Sequence, residues 1–264
     1  MSCNQVTSMW KFLNTIYAPL LKSFGNKGLL PTRFDGRDLF ASFGVSLWEY
    51  RTKSNELSRF KYQFDQAEFN ICTFASTVLG LSEQIGIRLS VKFMVKLAVR
   101  EGMVTGNGFS YQRAPLKLLK KYGAVKYEQM PDEVNGDWEE YSKWTSECDE
   151  LLKNTTKITA YEKLRSEGAI LEALDRGYVV MTASKWYQDM FNPFAPNFFL
   201  KMTGWYIGGH AYRITGYRGN GADFETPQTF SAQYGDSGKA WSESTLGMKY
   251  YDNWICQFND KPTL

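Results

Sequence analysis

Gln66-Ala67-Glu68-Phe69-Asn70-Ile71-Cys72-Thr73-Phe74-Ala75 sets a cysteine at the start of an apolar segment, six residues after a glutamine. Asn70 is a residue type that caps helix starts. Ile71, Phe74, Ala75, Val78, Leu79 and Ile85 then recur at helical spacing. The pattern predicts a helix with Cys72 in its first turn. Unpaired N–H groups and the positive dipole end gather there, and both favour a thiolate over a thiol. Far downstream lies His210, the only histidine of the chain. A cysteine and a histidine can form a thiolate–imidazolium pair, a nucleophile with its own proton carrier. Each also has an ordinary explanation, since small buried thiols pack well in cores. The rest of the chain has to decide between them.

Working outward, Ser90 caps a second helix running to Arg100 and stopped by Gly102, and Pro115 opens a third, Leu116 to Tyr122, with Gly123 as its stop. Gly106-Asn107-Gly108-Phe109 between them is a loop. Residues 126–157 are polar and acidic, with a short helix around Trp144 to Leu152, and read as a crossover. A helix from Ser166 to Arg176 ends at Gly177. From there the pattern turns to strands: Tyr178 to Ala183, Gly209 to Tyr217, Asp223 to Ala232 and Met248 to Phe258 are rich in β-branched and aromatic residues. Helices first and strands second is an α+β arrangement. Upstream, Met9, Trp10, Phe12, Leu13, Ile16, Tyr17, Leu20, Leu21 and Phe24 mark one amphipathic helix, closed by Gly25 and Gly28. It reads either as a helix packed on the main body or as an arm that covers a groove or docks on a partner.

Composition narrows the function. A chain of 264 residues suits one large domain or two packed lobes. A net charge of +3 with no dense Lys/Arg stripe argues against nucleic acid. No run of eighteen apolar residues exists, so no membrane span is expected. The four cysteines, Cys3, Cys72, Cys148 and Cys256, form no CxxC pair, which excludes the usual zinc and redox motifs; neither metal nor cofactor is implied. They are too few for a disulfide scaffold, and residues 1–17 lack a basic and apolar leader pattern. The expectation is a reducing, cytoplasmic setting.

Five pieces, in this order, resemble the papain-like cysteine proteases. They are Pro31-x-x-x-Asp35-x-Arg37, Gln66-x5-Cys72, and Gly106-Asn107-Gly108-Phe109 with the helix after it. Ile170-Leu171-x-Ala173-Leu174-x-x-Gly177-Tyr178-Val179-Val180 and Gly209-His210-Ala211-Tyr212-x-Ile214-x-Gly216-Tyr217 follow. His210 also falls within the roughly 130–150 residues after the cysteine at which that family places its histidine. The resemblance spans residues 29–258, leaving 1–28 as an N-terminal helical extension and 259–264 as a tail. It implies a two-lobe fold: a helical lobe over about 66–160, a β-barrel-like antiparallel lobe over about 161–258 that also takes the N-terminal strand, and a cleft between them. It implies a divergent cysteine peptidase of bacterial or phage type, acting on a peptide or protein. Cys72 would be the nucleophile, His210 its partner and Gln66 the oxyanion donor. Gly106, Asn107, Gly108, Phe109 and Gly209 would line the substrate groove.

The chain also departs from that pattern. Thr73 replaces an aromatic after the cysteine, and Phe69 replaces a second cysteine, removing a family disulfide. The family's Asn-Ser-Trp-Gly has its best counterpart in Ala232-Gln233-Tyr234-Gly235. Ala232 cannot orient an imidazole, so either Gln233 does so after a one-residue shift, or the site works as a dyad. Tyr234 would be the aromatic lid. By analogy with phage-encoded members of that family, which travel as virion components, three functions follow: an active peptidase, a papain fold kept as a structural or binding part of a larger, virion-associated assembly reached through residues 1–28, and an acyl transferase using the same pair.

Overall fold

The computed structural model describes residues 29–30, 39–40, 56–134, 137–191, 199–219, 222–229, 240–243 and 250–258. The predicted helix over residues 9–24, the Pro31–Arg37 motif and the Ala232–Gly235 segment lie outside them.

Three short strands come first: β1 (Leu29–Leu30), β2 (Leu39–Phe40) and β3 (Leu57–Ser58). Helices α1 (Cys72–Ile85) and α2 (Val91–Arg100) follow, then β4 (Ser110–Tyr111) and α3 (Arg113–Lys121). Two short helices, α4 (Trp138–Ser142) and α5 (Ser146–Leu151), fill the acidic crossover. Next come β5 (Ala160–Lys163), α6 (Glu167–Asp175), β6 (Val180–Tyr187), β7 (Tyr206–Ile214), β8 (Gly216–Arg218), β9 (Asp223–Glu225), β10 (Trp241–Glu243) and β11 (Tyr250–Gln257). The α+β expectation holds.

The strands of the second half, joined by the early β2 and β3, form a five-stranded sheet, β2-β5-β11-β6-β7, and a four-stranded one, β10-β9-β8-β3. Neighbours are antiparallel except β2 on β5. Among the described residues neither sheet closes into a barrel. Strand periodicity splits the five-stranded sheet between two cores. Met181, Trp254 and Cys256 point into the core built by α1, α2 and α3. Val180, Ile214 and Ile255 point the other way, onto Ile170, Leu171 and Leu174 of α6.

The predicted cap holds at α2, and Ser166, read only as a helix start, caps α6. Ser90 Oγ accepts from Phe93 N at 3.0 Å, and Ser166 Oγ from Ala169 N at 3.1 Å. Asn70 does not cap α1: the capping position is Ile71, without a side-chain bond. Asn70 instead faces a loop, described below. The third helix starts two residues ahead of Pro115, which still falls in the first turn, where a missing N–H costs no ladder bond.

Candidate functional site

Cys72 is the first residue of α1, and it is fully buried. Its side chain packs with Ala183 of β6 and Ala211 of β7, which are register partners. Ala211 follows His210 directly, so the fold carries the helix start to the histidine's immediate neighbour. His210, also fully buried, pairs in register with Ser184, and Gly209 with Lys185. Side chains alternate along β7. Ala211 and Arg213 therefore face α1, while His210 and Tyr212 sit on the alternate face. There the His210 ring meets Trp186 at 4.6 Å between centroids and 61° between planes, and Tyr212 at 6.0 Å and 24°. β7 is the last strand of its sheet.

The turn before α1 is tight. Asp65 Oδ1 accepts from Ala67 N at 2.9 Å, and Ala67 takes φ +48°, a left-handed conformation rare outside glycine. Gln66 is buried and held at both ends of its amide. Its Nε2 donates to Phe69 O at 2.7 Å, and its Oε1 accepts from Thr229 Oγ1 at 2.5 Å. Its backbone N–H also reaches Thr229 O at 2.9 Å. The chain just after β9 is thereby tied to the turn before Cys72.

The loop at 106–108 is docked on the same turn. Thr105 and Phe109 exchange backbone bonds at 2.9 and 3.0 Å, closing a small hairpin. Asn70 N donates to Asn107 O at 2.9 Å, and Asn70 Nδ2 to Asn107 Oδ1 at 2.5 Å. Gly108 has φ +120°, and a Cβ there would lie 2.8 Å from Ile71 Cγ2 and 2.9 Å from Asn70 C. Only glycine lets the loop come this close. The structure thus brings Gln66, Cys72 and the 106–109 loop together around one turn, with Gly209 and His210 on the strand packed against α1. Gln233 and Tyr234 fall outside the described residues. Among those residues no cluster of His, Cys, Asp or Glu could hold a metal ion, and no helix is long and apolar enough to cross a membrane.

Sequence reasoning missed Ser184, Trp186 and Tyr212 around the histidine, and Thr229 beside Gln66. The signal for the first three was alternation: counting in twos from His210 reaches Tyr212. Ending the preceding strand at Ala183 hid Ser184 and Trp186.

No protein-family model matches the sequence, and neither does any curated protein. Solved structures do match. Xylellain, a cysteine protease from Xylella fastidiosa, superposes with a TM-score of 0.73 at 17% identity, covering 90% of this chain and 98% of its own. A procathepsin B from Trypanosoma congolense gives 0.66 at 14%, covering 90% and 87%. Procathepsin L 3 of Tenebrio molitor larval midgut gives 0.65 at 14%, covering 91% and 79%. The structural neighbours are papain-like cysteine proteases, and the chain has their fold in a divergent sequence.

Proposed function

We propose that the protein is a cysteine peptidase that hydrolyses peptide bonds through Cys72 and His210. The observation that carries this is the placement of Cys72 at the start of α1, packed on the residue next to His210. In the reaction, the Cys72 thiolate attacks the peptide carbonyl carbon and forms a tetrahedral oxyanion. A primary amide has two N–H groups, and Gln66 spends one on Phe69 O. The other, with the Cys72 backbone N–H at the helix start, supports the oxyanion; one such donor is worth ~3–4 kcal/mol in the transition state. The imidazolium of His210 gives its proton to the leaving amine, which departs and leaves a thioester. His210 then takes a proton from water, whose oxygen attacks the thioester and releases the acid and the thiolate. The 106–109 loop, with its glycines, offers backbone to an extended peptide. Gln233 as the group that orients His210, and Tyr234 as its cover, remain part of this proposal.

One observation favours a second reading, a papain fold serving as a binding module. Cys72 and His210 are both fully buried, so a substrate has to displace protein atoms to reach the sulfur. One labelling experiment separates the two. Intact protein is treated with iodoacetamide or a peptidyl epoxide across pH 5–9, and each cysteine is read by mass spectrometry. A peptidase gives Cys72 modification well ahead of Cys148 and Cys256, both buried thiols, the latter pushed up by burial. The low-pH limb of that rate vanishes in His210→Ala, since no other histidine exists. Equal, slow labelling of all cysteines, or Cys3 reacting before Cys72, sinks the peptidase reading.

A further inference from the structure

The ring of His210 has defined neighbours on two sides. Trp186, from the adjoining strand β6, makes an edge contact at 4.6 Å. Tyr212, two residues on along β7, lies nearly parallel to it at 6.0 Å. Both neighbours are themselves held. Tyr212 OH donates to Ser184 Oγ at 3.0 Å, and Ser184 Oγ to Lys185 O at 3.1 Å. Trp186 packs on Phe191 and Tyr212 at 6.0 Å each, within a buried cluster that includes Met190, Leu200 and Ala240. Trp186 and Tyr212 are fully buried. Neither ring can swing aside without opening a cavity in that cluster.

We propose that Trp186 is a positioning residue for His210. Resting on the dyad reading above, the assignment gives the indole a definite task. It occupies the β6 side of the imidazole while Tyr212 occupies the next place along β7. Between these two fixed rings the imidazole cannot turn freely. A proton carrier works only along a narrow line to its partner, and a misplacement of about 1 Å costs roughly a hundredfold in rate. In this chain an aromatic pair, one residue from each of two paired strands, supplies that alignment. The indole does not touch substrate in this scheme; it acts through the histidine.

The single histidine makes the test unambiguous. Protein labelled with ¹³C-histidine gives one ring Cε1–Hε1 signal, read together with its NOE contacts and with the Cys72 alkylation rate. Wild type is expected to show one sharp signal with NOEs to both Trp186 and Tyr212. In Trp186→Leu the signal broadens or splits, the Tyr212 contact weakens, and Cys72 alkylation slows about tenfold to a hundredfold. Trp186→Phe, which restores a smaller ring, falls between the two. A folded Trp186→Leu that keeps a single sharp signal, the full Tyr212 NOE and a rate within about twofold of wild type overturns the proposal. Where the leucine variant does not fold, the step from wild type to Trp186→Phe is read alone, and identity of the two overturns it. Indifference of the wild-type rate to His210→Ala would defeat the dyad reading separately, because the NMR signal reports on the ring whether or not the thiol depends on it.

Discussion

Asp132 is 2% exposed, and burial raises its carboxyl from the usual carboxylate range to about 6. Bonds from Lys92 N at 3.0 Å and Ser90 Oγ at 3.1 Å, with Arg88 at 3.9 Å, pull the other way without cancelling the cost. A carboxyl raised in the folded state is easier to keep protonated there than in the unfolded chain. Its contribution to stability is therefore full below pH ~4 and is lost as pH climbs through about 6. Two pKa units correspond to ~3 kcal/mol as an upper figure. Asp132→Asn, neutral at every pH, should remove that slope. Urea unfolding of both proteins from pH 4 to 8 is expected to show the asparagine variant gaining on wild type as pH rises. Parallel profiles would mean that Asp132 ionises without penalty. Ala67 illustrates a different strain at the same scale: its left-handed backbone sits one residue after Gln66, at the turn the proposed chemistry uses.

Hydrogen bonds hold the 105–109 hairpin against the start of α1. Where the resemblance led to a missing disulfide near Phe69, Asn70 and Asn107 join helix start to loop by two hydrogen bonds, and Phe69 packs against Trp138 and Tyr141. Asn107→Ala deletes the side-chain bond and should cost ~1 kcal/mol locally. Hydrogen exchange at Asn70 and Phe109 amides is expected to speed up about fivefold, with amides at the centre of α2 unchanged. Equal protection in both proteins would show that the backbone bonds alone hold the loop. Much of this level was legible in the sequence. α1, α2 and α6 announce themselves as helical runs with clear stops, α2 also by its serine cap, and β7 by its β-branched and aromatic run. Asn70 misled because its residue type suits a cap as well as a loop clamp, and only the loop's position in space decides between them. The short strands β1 to β4 and β10 show no alternation, whereas β8 overlaps the end of the strand predicted to Tyr217 and β9 is the start of the one predicted from Asp223. β5 was hidden by the polar crossover leading into it. The turn before Cys72 was legible as a site and alternation along β7 pointed to Tyr212, but Ser184 and Trp186 depend on the pairing of β6 with β7 rather than on a local pattern.

At the scale of the whole molecule, one buried ion pair joins the helix that begins at Cys72 to the strand that carries His210. Arg213 of β7 grips Glu83 of α1 with both ends of its guanidinium, Nε to Oε2 at 2.7 Å and Nη2 to Oε1 at 3.0 Å. Arg213 Nη2 also donates to Tyr62 O at 2.6 Å, and Glu83 Oε1 accepts from the backbone N–H groups of Lys61 and Tyr62. The side chains are 1% and 0% exposed. A pair this deep is weak evidence for net stability, because desolvation offsets most of the attraction. Its expected effect is on geometry: it fixes where α1 can sit along β7, and with it the place of Cys72 beside Ala211. Removing one partner strands the other charge, so Arg213→Met should cost ~3–5 kcal/mol. Adding Glu83→Gln removes the stranded charge while keeping an acceptor for the two backbone N–H groups, and should recover part of that loss. The coupling is read from a double-mutant cycle on unfolding free energies. If the double variant unfolds as easily as Arg213→Met, the loss comes from packing of the arginine stem rather than from a buried charge. Recovery of stability without recovery of Cys72 alkylation is the expected outcome, because the neutral pair packs the interface but no longer locks the helix to its register on the strand.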